Sequence, residues 1–158
     1  VSLTDQIIRR PTARDIDFLV ENIRDEDTAE INAMGGMTAR EALDSTPNLD
    51  ENAWVWEKNG KVMCIFGVNP IEELDRTGAI WLLGTKYFDD HHMVFAAACS
   101  SVFEELIKDY KMVFNYVYAE NKKSIKWLEW LGFKVRDAQP IGINGANFHR
   151  FEMVNDNV

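Results

Sequence analysis

Apolar and polar residues alternate along this chain in two rhythms, one of period two and one close to 3.6. "IIRRPT" (Ile7 to Thr12) reads as a short strand ended by Pro11. Thr12 is placed to cap a helix through "ARDIDFLVENIR", where Ile16, Leu19, Val20 and Ile23 recur at helical spacing. "TAEINAM", stopped by Gly35-Gly36, predicts a second short helix. "TAREALDS" predicts a third, with Thr38 and Glu41 in capping-box spacing.

"AWVWEKNGKVMCIFGVNP" is the strongest hairpin signal, because two β-rich runs flank Asn59-Gly60, a pair suited to positive φ at both central turn residues. "GAIWLLGT" (Gly78 to Thr85) predicts another strand. A longer helix fits His91 to Tyr110, with Phe95, Cys99, Val102, Leu106 and Tyr110 on or near one face and Asp89 or Asp90 as its cap. "MVFNYVY" reads as a strand, "KKSIKWLEWL" as a helix, and "GFKVRDA" and "FHRFEMV" as two closing strands. The order is strand, helices, three strands, helix, strand, helix, two strands. Helices between strands demand crossover connections, and the hairpin adds antiparallel pairs. The expectation is one α/β domain spanning residues 1–158, with a mixed, mostly antiparallel sheet covered by helices on both faces.

With 158 residues and 46% hydrophobic residues, the chain is long and apolar enough to bury a core. The formal net charge of −9 disfavours nucleic-acid binding, which depends on cationic neutralisation of phosphates. No apolar run approaches a membrane span, and no basic-then-apolar leader pattern opens the sequence. Cys64 and Cys99 sit in apolar runs and read as buried thiols of a reducing compartment.

The run from Asn115 to Val135, "NYVYAENKKSIKWLEWLGFKV", is a strand, a polar break at Asn121, a compact helix and a glycine stop at Gly132. Together with the element order, it resembles the GNAT superfamily of acyl-CoA-dependent N-acyltransferases. Asn121, Ser124, Leu131, Gly132 and Phe133 match that superfamily's second signature. "VFNYVYAEN" beside "IKWLEWLG" is similar to the small GNAT-like proteins of tailed phages, including internal virion proteins of short-tailed coliphages. The resemblance implies that the fourth and fifth strands run parallel and splay, and that acetyl-CoA lies in the gap like an added strand. Backbone groups of Leu82, Leu83, Gly84 and Thr85 would bond to it, with Asn121, Lys122 and Ser124 at the next helix. It further implies an amine acceptor for an enzyme, or a virion or host protein as partner for a non-catalytic member, and a location in the host cytoplasm or the virion.

The chain departs from the superfamily pattern at two places. Where a glycine-rich turn should open a helix over the pyrophosphate, it carries "TKYFDDHHMVFAAA", with Asp89 and Asp90 where phosphates should sit. The position of the usual general-acid Tyr is Leu128, while Tyr116 and Tyr118 lie on the preceding strand. Glu72, Glu73 and His91 are the candidates for a general base, with Asp75 and His92 nearby. "DDHH" is a poor metal site, since adjacent ligands rarely converge on one ion. Cys99, inside "FAAACSSVF", reads as core rather than nucleophile. The function this reading favours is an acetyl-CoA-dependent N-acyltransferase with a reduced cofactor site, and the alternative is a non-catalytic GNAT-fold protein of virion assembly or host contact.

Overall fold

The computed structural model describes residues 5–72 and 74–157. Seven strands form one sheet: β1 (Gln6–Arg9), β2 (Ala53–Lys58), β3 (Lys61–Glu72), β4 (Thr77–Gly84), β5 (Met112–Tyr118), β6 (Lys134–Gln139) and β7 (Phe148–Val154). Their order across the sheet is β1-β2-β3-β4-β5-β7-β6. Every neighbouring pair is antiparallel except β4–β5, which is parallel. The hairpin turn has Asn59 at φ 52° and Gly60 at φ 76°, as the sequence predicts for a turn with two left-handed residues.

Helices α1 (Ala13–Asn22), α2 (Asp25–Gly35), α3 (Ala39–Asp44) and α4 (Leu49–Asn52) precede the hairpin. Thr12 and Thr38 both close capping boxes, with Asp15 and Glu41. Leu19 and Leu43 from α1 and α3 pack with Ala53, Val55 and Ile65 on one face of the sheet. The other face is covered by α5 (His92–Ala98), α6 (Ser100–Ile107) and α7 (Lys122–Trp130). There Trp56, Cys64 and Phe66 meet Phe88, Phe95 and Cys99. Alternation along β2 puts Trp54 and Trp56 on this same side. Cys64 and Cys99 are both buried thiols, and burial pushes the Cys99 thiol up to about 12. No helix is long and apolar enough to cross a membrane among the described residues.

Two sequence expectations need correction. The helix expected from His91 to Tyr110 is two helices, broken at Cys99 (φ −105°, ψ 7°). Bonds from Cys99 N–H to Phe95 and from Phe103 N–H to Cys99 carry the path through the break. Ser100 Oγ bonds back to the Ala97 carbonyl, the kind of side-chain competition that bends helices. The cap is neither Asp89 nor Asp90. A 3-10 turn (Lys86–Phe88) buries Phe88 completely and delays the helix start to His92, leaving both acids exposed in the turn. Asp90 is left-handed at φ 65°.

At the other end of the segment that carries the resemblance, Asn121 caps α7, accepting from Ser124 N–H at 3.4 Å. Gly132 follows the helix at φ 101°. Trp127 of α7 points into the core cluster, while Trp130 is 60% exposed.

Candidate functional site

The parallel pairing of β4 with β5 covers only Thr77–Met112, Gly78–Val113 and Ala79–Phe114. Beyond it the strands part. At the point of divergence the side chain of Asn115 stands between them. Its Nδ2 donates to the Ile80 carbonyl at 2.7 Å, and its Oδ1 accepts from Tyr116 N–H at 2.8 Å. In a continuing parallel ladder these two backbone groups would face each other across the strands. The amide is therefore a spacer inserted into the ladder. Asn115 shares the core-facing side of β5 with Val113 and Val117, so its polarity is out of place for packing and in place for this bond.

Thr85 N–H donates to the Met63 carbonyl, which fixes the phase of the β3–β4 pairing. Residues 79, 81, 83 and 85 then turn their backbone polar groups toward β3, and Ile80, Leu82 and Gly84 turn theirs toward the gap. The two groups of Gly84 are already occupied. Its N–H donates to Asp27 Oδ2 at 2.7 Å, and its carbonyl accepts from Arg24 N–H at 3.0 Å. On the opposite strand Tyr118 N–H donates to Glu30 Oε1 at 2.7 Å. Asp27 and Glu30 are three residues apart on α2 and so lie on one helix face. Helix α2 thus crosses the mouth of the gap and binds both strands.

Arg24 anchors the start of that helix. It is 5% exposed and holds Asp27 through two bonds of 2.9 Å, from Nε and Nη2. Its Nη1 faces His92 Nε2 at 3.3 Å, so His92 accepts there and stays neutral. Burial first, then Arg24 and Lys123, lower the His92 pKa to about 4. Glu30 is half-buried, and its carboxyl is pushed up to about 7 by burial, with the nearby Asp27 adding to the rise and the Tyr118 N–H and the Arg24 charge opposing it.

Behind α2 the gap widens into a cleft of about 320 Å³. Ile31, Met34 and Met37 line it on the side of α2, and Leu128 and Trp127 on the side of α7. Leu82 and its backbone groups face it from β4, where no strand lies opposite.

Among the residues singled out from the sequence, Leu82, Leu83 and Ser124 line this cleft. Gly84 and Thr85 are buried beside it. Thr85 is fully satisfied internally, its N–H on Met63 and its Oγ1 on the Val62 and Met63 carbonyls. Asn121 serves as the α7 cap, and Lys122 is exposed at the first turn of α7. His91 turns its Nδ1 to the Asp89 carbonyl at 2.8 Å, away from the cleft lining. Glu73 and the side chain of Glu72 lie outside the described residues. Asp90 faces Lys123 at 3.5 Å on the surface. The sequence reading passed over Arg24, Asp27, Glu30 and Asn115. Two signals carried them: an acid pair at i, i+3 spacing, and a lone amide at a core-facing strand position.

No protein-family model matches the chain, and no curated protein matches it. Solved structures do. The yncA protein of Salmonella typhimurium, solved with acetyl-CoA, is 15% identical with a TM-score of 0.72, covering 98% of this chain and 96% of its own. Spermidine N-acetyltransferase from Vibrio cholerae, in complex with CoA and spermine, is 12% identical with a TM-score of 0.70, covering 98% of each chain. Ard1 from Thermoplasma volcanium is 16% identical with a TM-score of 0.72, covering 95% of this chain and 97% of its own. These similarities show the fold: the seven-stranded sheet with its splayed parallel pair is the GNAT architecture that the sequence resemblance implied.

Proposed function

We propose that this chain is a non-catalytic GNAT-fold interaction protein, of the virion-associated or host-contacting kind implied by its likeness to tailed-phage proteins. One observation carries the reading. At Gly84, the end of the β4 edge along which an acyl-CoA arm would lie, both backbone groups are taken by the chain's own Arg24 and Asp27, and Glu30 holds Tyr118 on the facing edge of β5, leaving only Leu82 open between them.

The residues present do not fit acyl-CoA. The turn that would hold the pyrophosphate carries exposed Asp89 and Asp90, which repel a bound anion, and it buries Phe88 instead of opening its backbone. The helix behind it has only seven residues. Fold alone does not certify chemistry, and the chemistry of this site has lost its anion end. The exposed Trp130 on α7 supports a partner surface, since exposed tryptophans are enriched among binding hot spots. The partner is then a virion or host protein, and the place of action the virion or the host cytoplasm.

A second reading is an acetyl-CoA-dependent N-acyltransferase with a reduced cofactor site and an amine acceptor. It is favoured by the open backbone groups of Leu82 and by a carboxyl, Glu30, that titrates near neutrality beside the cleft. It requires α2 to leave the gap.

Calorimetry with acetyl-CoA separates the two, using the parent chain and the double variant Asp89→Asn with Asp90→Asn. Asn removes both charges and tolerates the left-handed conformation at position 90. No binding in either protein, with the circular dichroism spectrum unchanged, is the expected result. Binding by the parent, or its emergence in the variant, would overturn the non-catalytic reading in favour of the enzyme.

A further inference from the structure

We infer that α2 is a strap across the β4–β5 gap, latched by Asp27 on β4 and by Glu30 on β5, and that ionisation of Glu30 loosens the β5 latch and frees the gap. The inference rests on the reading that α2, rather than a ligand, fills the mouth of the gap.

Diverging strands leave backbone N–H groups without a ladder partner, and such groups must be satisfied when buried. Gly84 and Tyr118 are the two whose bonds cross to α2, each at 2.7 Å from a carboxylate oxygen. The two latches differ in charge balance. Asp27 is held by the Arg24 guanidinium through two bonds. Arg24 spends its remaining Nη1 on His92, so Glu30 forms no salt bridge among the described residues.

An ionised Glu30 is therefore an unpaired charge in a largely apolar cleft, with the Asp27 carboxylate one turn away. A neutral Glu30 costs little and still accepts from Tyr118 N–H, because its carbonyl oxygen keeps its lone pairs. Arg24 is the cation that acts on Glu30, opposing the rise of its pKa from a distance without a direct bond, and burial outweighs it. Arg40 of α3 is committed to Asp17 at 2.8 Å. The 3-10 turn at Ile143–Gly145, packed against α2, has no ionisable side chain. From β5 it meets the Tyr118 backbone. Gly35 and Gly36, the latter at φ 70°, end the strap and give it a pivot.

The sign follows from the titration. Burial raises the Glu30 carboxyl from 4.5 to about 7 in the closed arrangement. The closed state then binds more protons than the open one between those values. Latching is complete below pH 4.5 and is lost as the pH rises to about 7, and opening levels off above that.

Native-state amide exchange, read residue by residue by NMR and corrected for intrinsic rates, tests this on the intact chain. Protection at Gly84 and Tyr118 should fall by up to about tenfold per pH unit between pH 5 and 7 and then flatten. Glu30→Gln keeps the acceptor and removes the charge, so its protection should stay high and flat across the same range. A parent whose protection at these two amides does not change with pH, or a Glu30→Gln variant with the parent's profile, would overturn the strap. Acetyl-CoA calorimetry reads a different quantity. Binding there would remove the non-catalytic reading and leave the exchange result standing, whereas flat exchange would remove the strap and leave that reading intact.

Discussion

Asn115 Nδ2 donates to the Ile80 carbonyl at 2.7 Å, and this single bond marks where a parallel ladder ends and a cleft begins. The same amide accepts from Tyr116 N–H, so one side chain replaces a direct strand-to-strand bond on both of its sides. Replacing Asn115 with Leu strands one donor and one acceptor at the gap edge. The expected loss of unfolding free energy is about 1–3 kcal/mol, the scale of buried polar groups left without partners. Asn115→Asp should cost more, because it turns a carboxylate toward the Ile80 carbonyl. Urea titration of the three proteins gives the order, and a Leu variant as stable as the parent would show that the amide is not a spacer.

Gly84 is glycine because Arg24 passes directly over it. A Cβ built there lies 2.7 Å from Arg24 Nε and 3.0 Å from its Cζ. Gly84→Ala must push the guanidinium away, and with it the Asp27 pair. A destabilisation of about 1–3 kcal/mol is expected, on the scale of overpacked cores. Removing the obstacle with Arg24→Ala leaves Asp27 buried without its cation, so the double variant should not recover the loss. Denaturant midpoints of the two single variants and the double variant check this.

Gly132 follows α7 at φ 101°, and a Cβ there would meet only Met153 Cε at 3.8 Å, an ordinary contact. The cost of Gly132→Val is therefore backbone strain without a clash, about 1–2 kcal/mol. The thermal midpoint should drop accordingly. An unchanged midpoint would mean that the turn after α7 relaxes to negative φ freely.

His92 should remain neutral down to about pH 4, because burial and the neighbouring Arg24 both oppose its charge. Stability linked to it is full above pH 6.5 and is lost as the pH falls toward 4. Glu30 acts in the opposite sense over nearly the same range, so the parent's stability profile is flattened by partial cancellation. Imidazole resonances followed by NMR separate the two directly. In His92→Gln, where a side-chain oxygen can still accept from Arg24, the Glu30 contribution is left unopposed, so the unfolding free energy should rise relative to the parent as the pH falls from 6.5 to 4.5. Titration of His92 near 6.5 would show that the imidazole is solvated.

The sequence by itself determined the elements and their kinds. Period-two and helical spacing, the Thr12 and Thr38 caps, Asn59-Gly60 and Gly132 are local signals, and local backbone energetics reads them without help from the rest of the chain. The helices between β4 and β5 allow the parallel pairing, which needs a crossover, but do not impose it, since α1–α4 likewise separate β1 and β2, which pair antiparallel. What the helix pattern over His91 to Tyr110 could not carry was its break at Cys99. Nor could it carry the 3-10 turn ahead of α5, because complete burial of Phe88 overrides the capping preference of Asp89 and Asp90. The site was decided only by tertiary structure. Asp27 and Gly84 are 57 residues apart, and Glu30 and Tyr118 are 88 apart. Whether an acid on a polar helix faces water or an unpaired strand edge depends on where the sheet opens, and no periodicity along the chain records that.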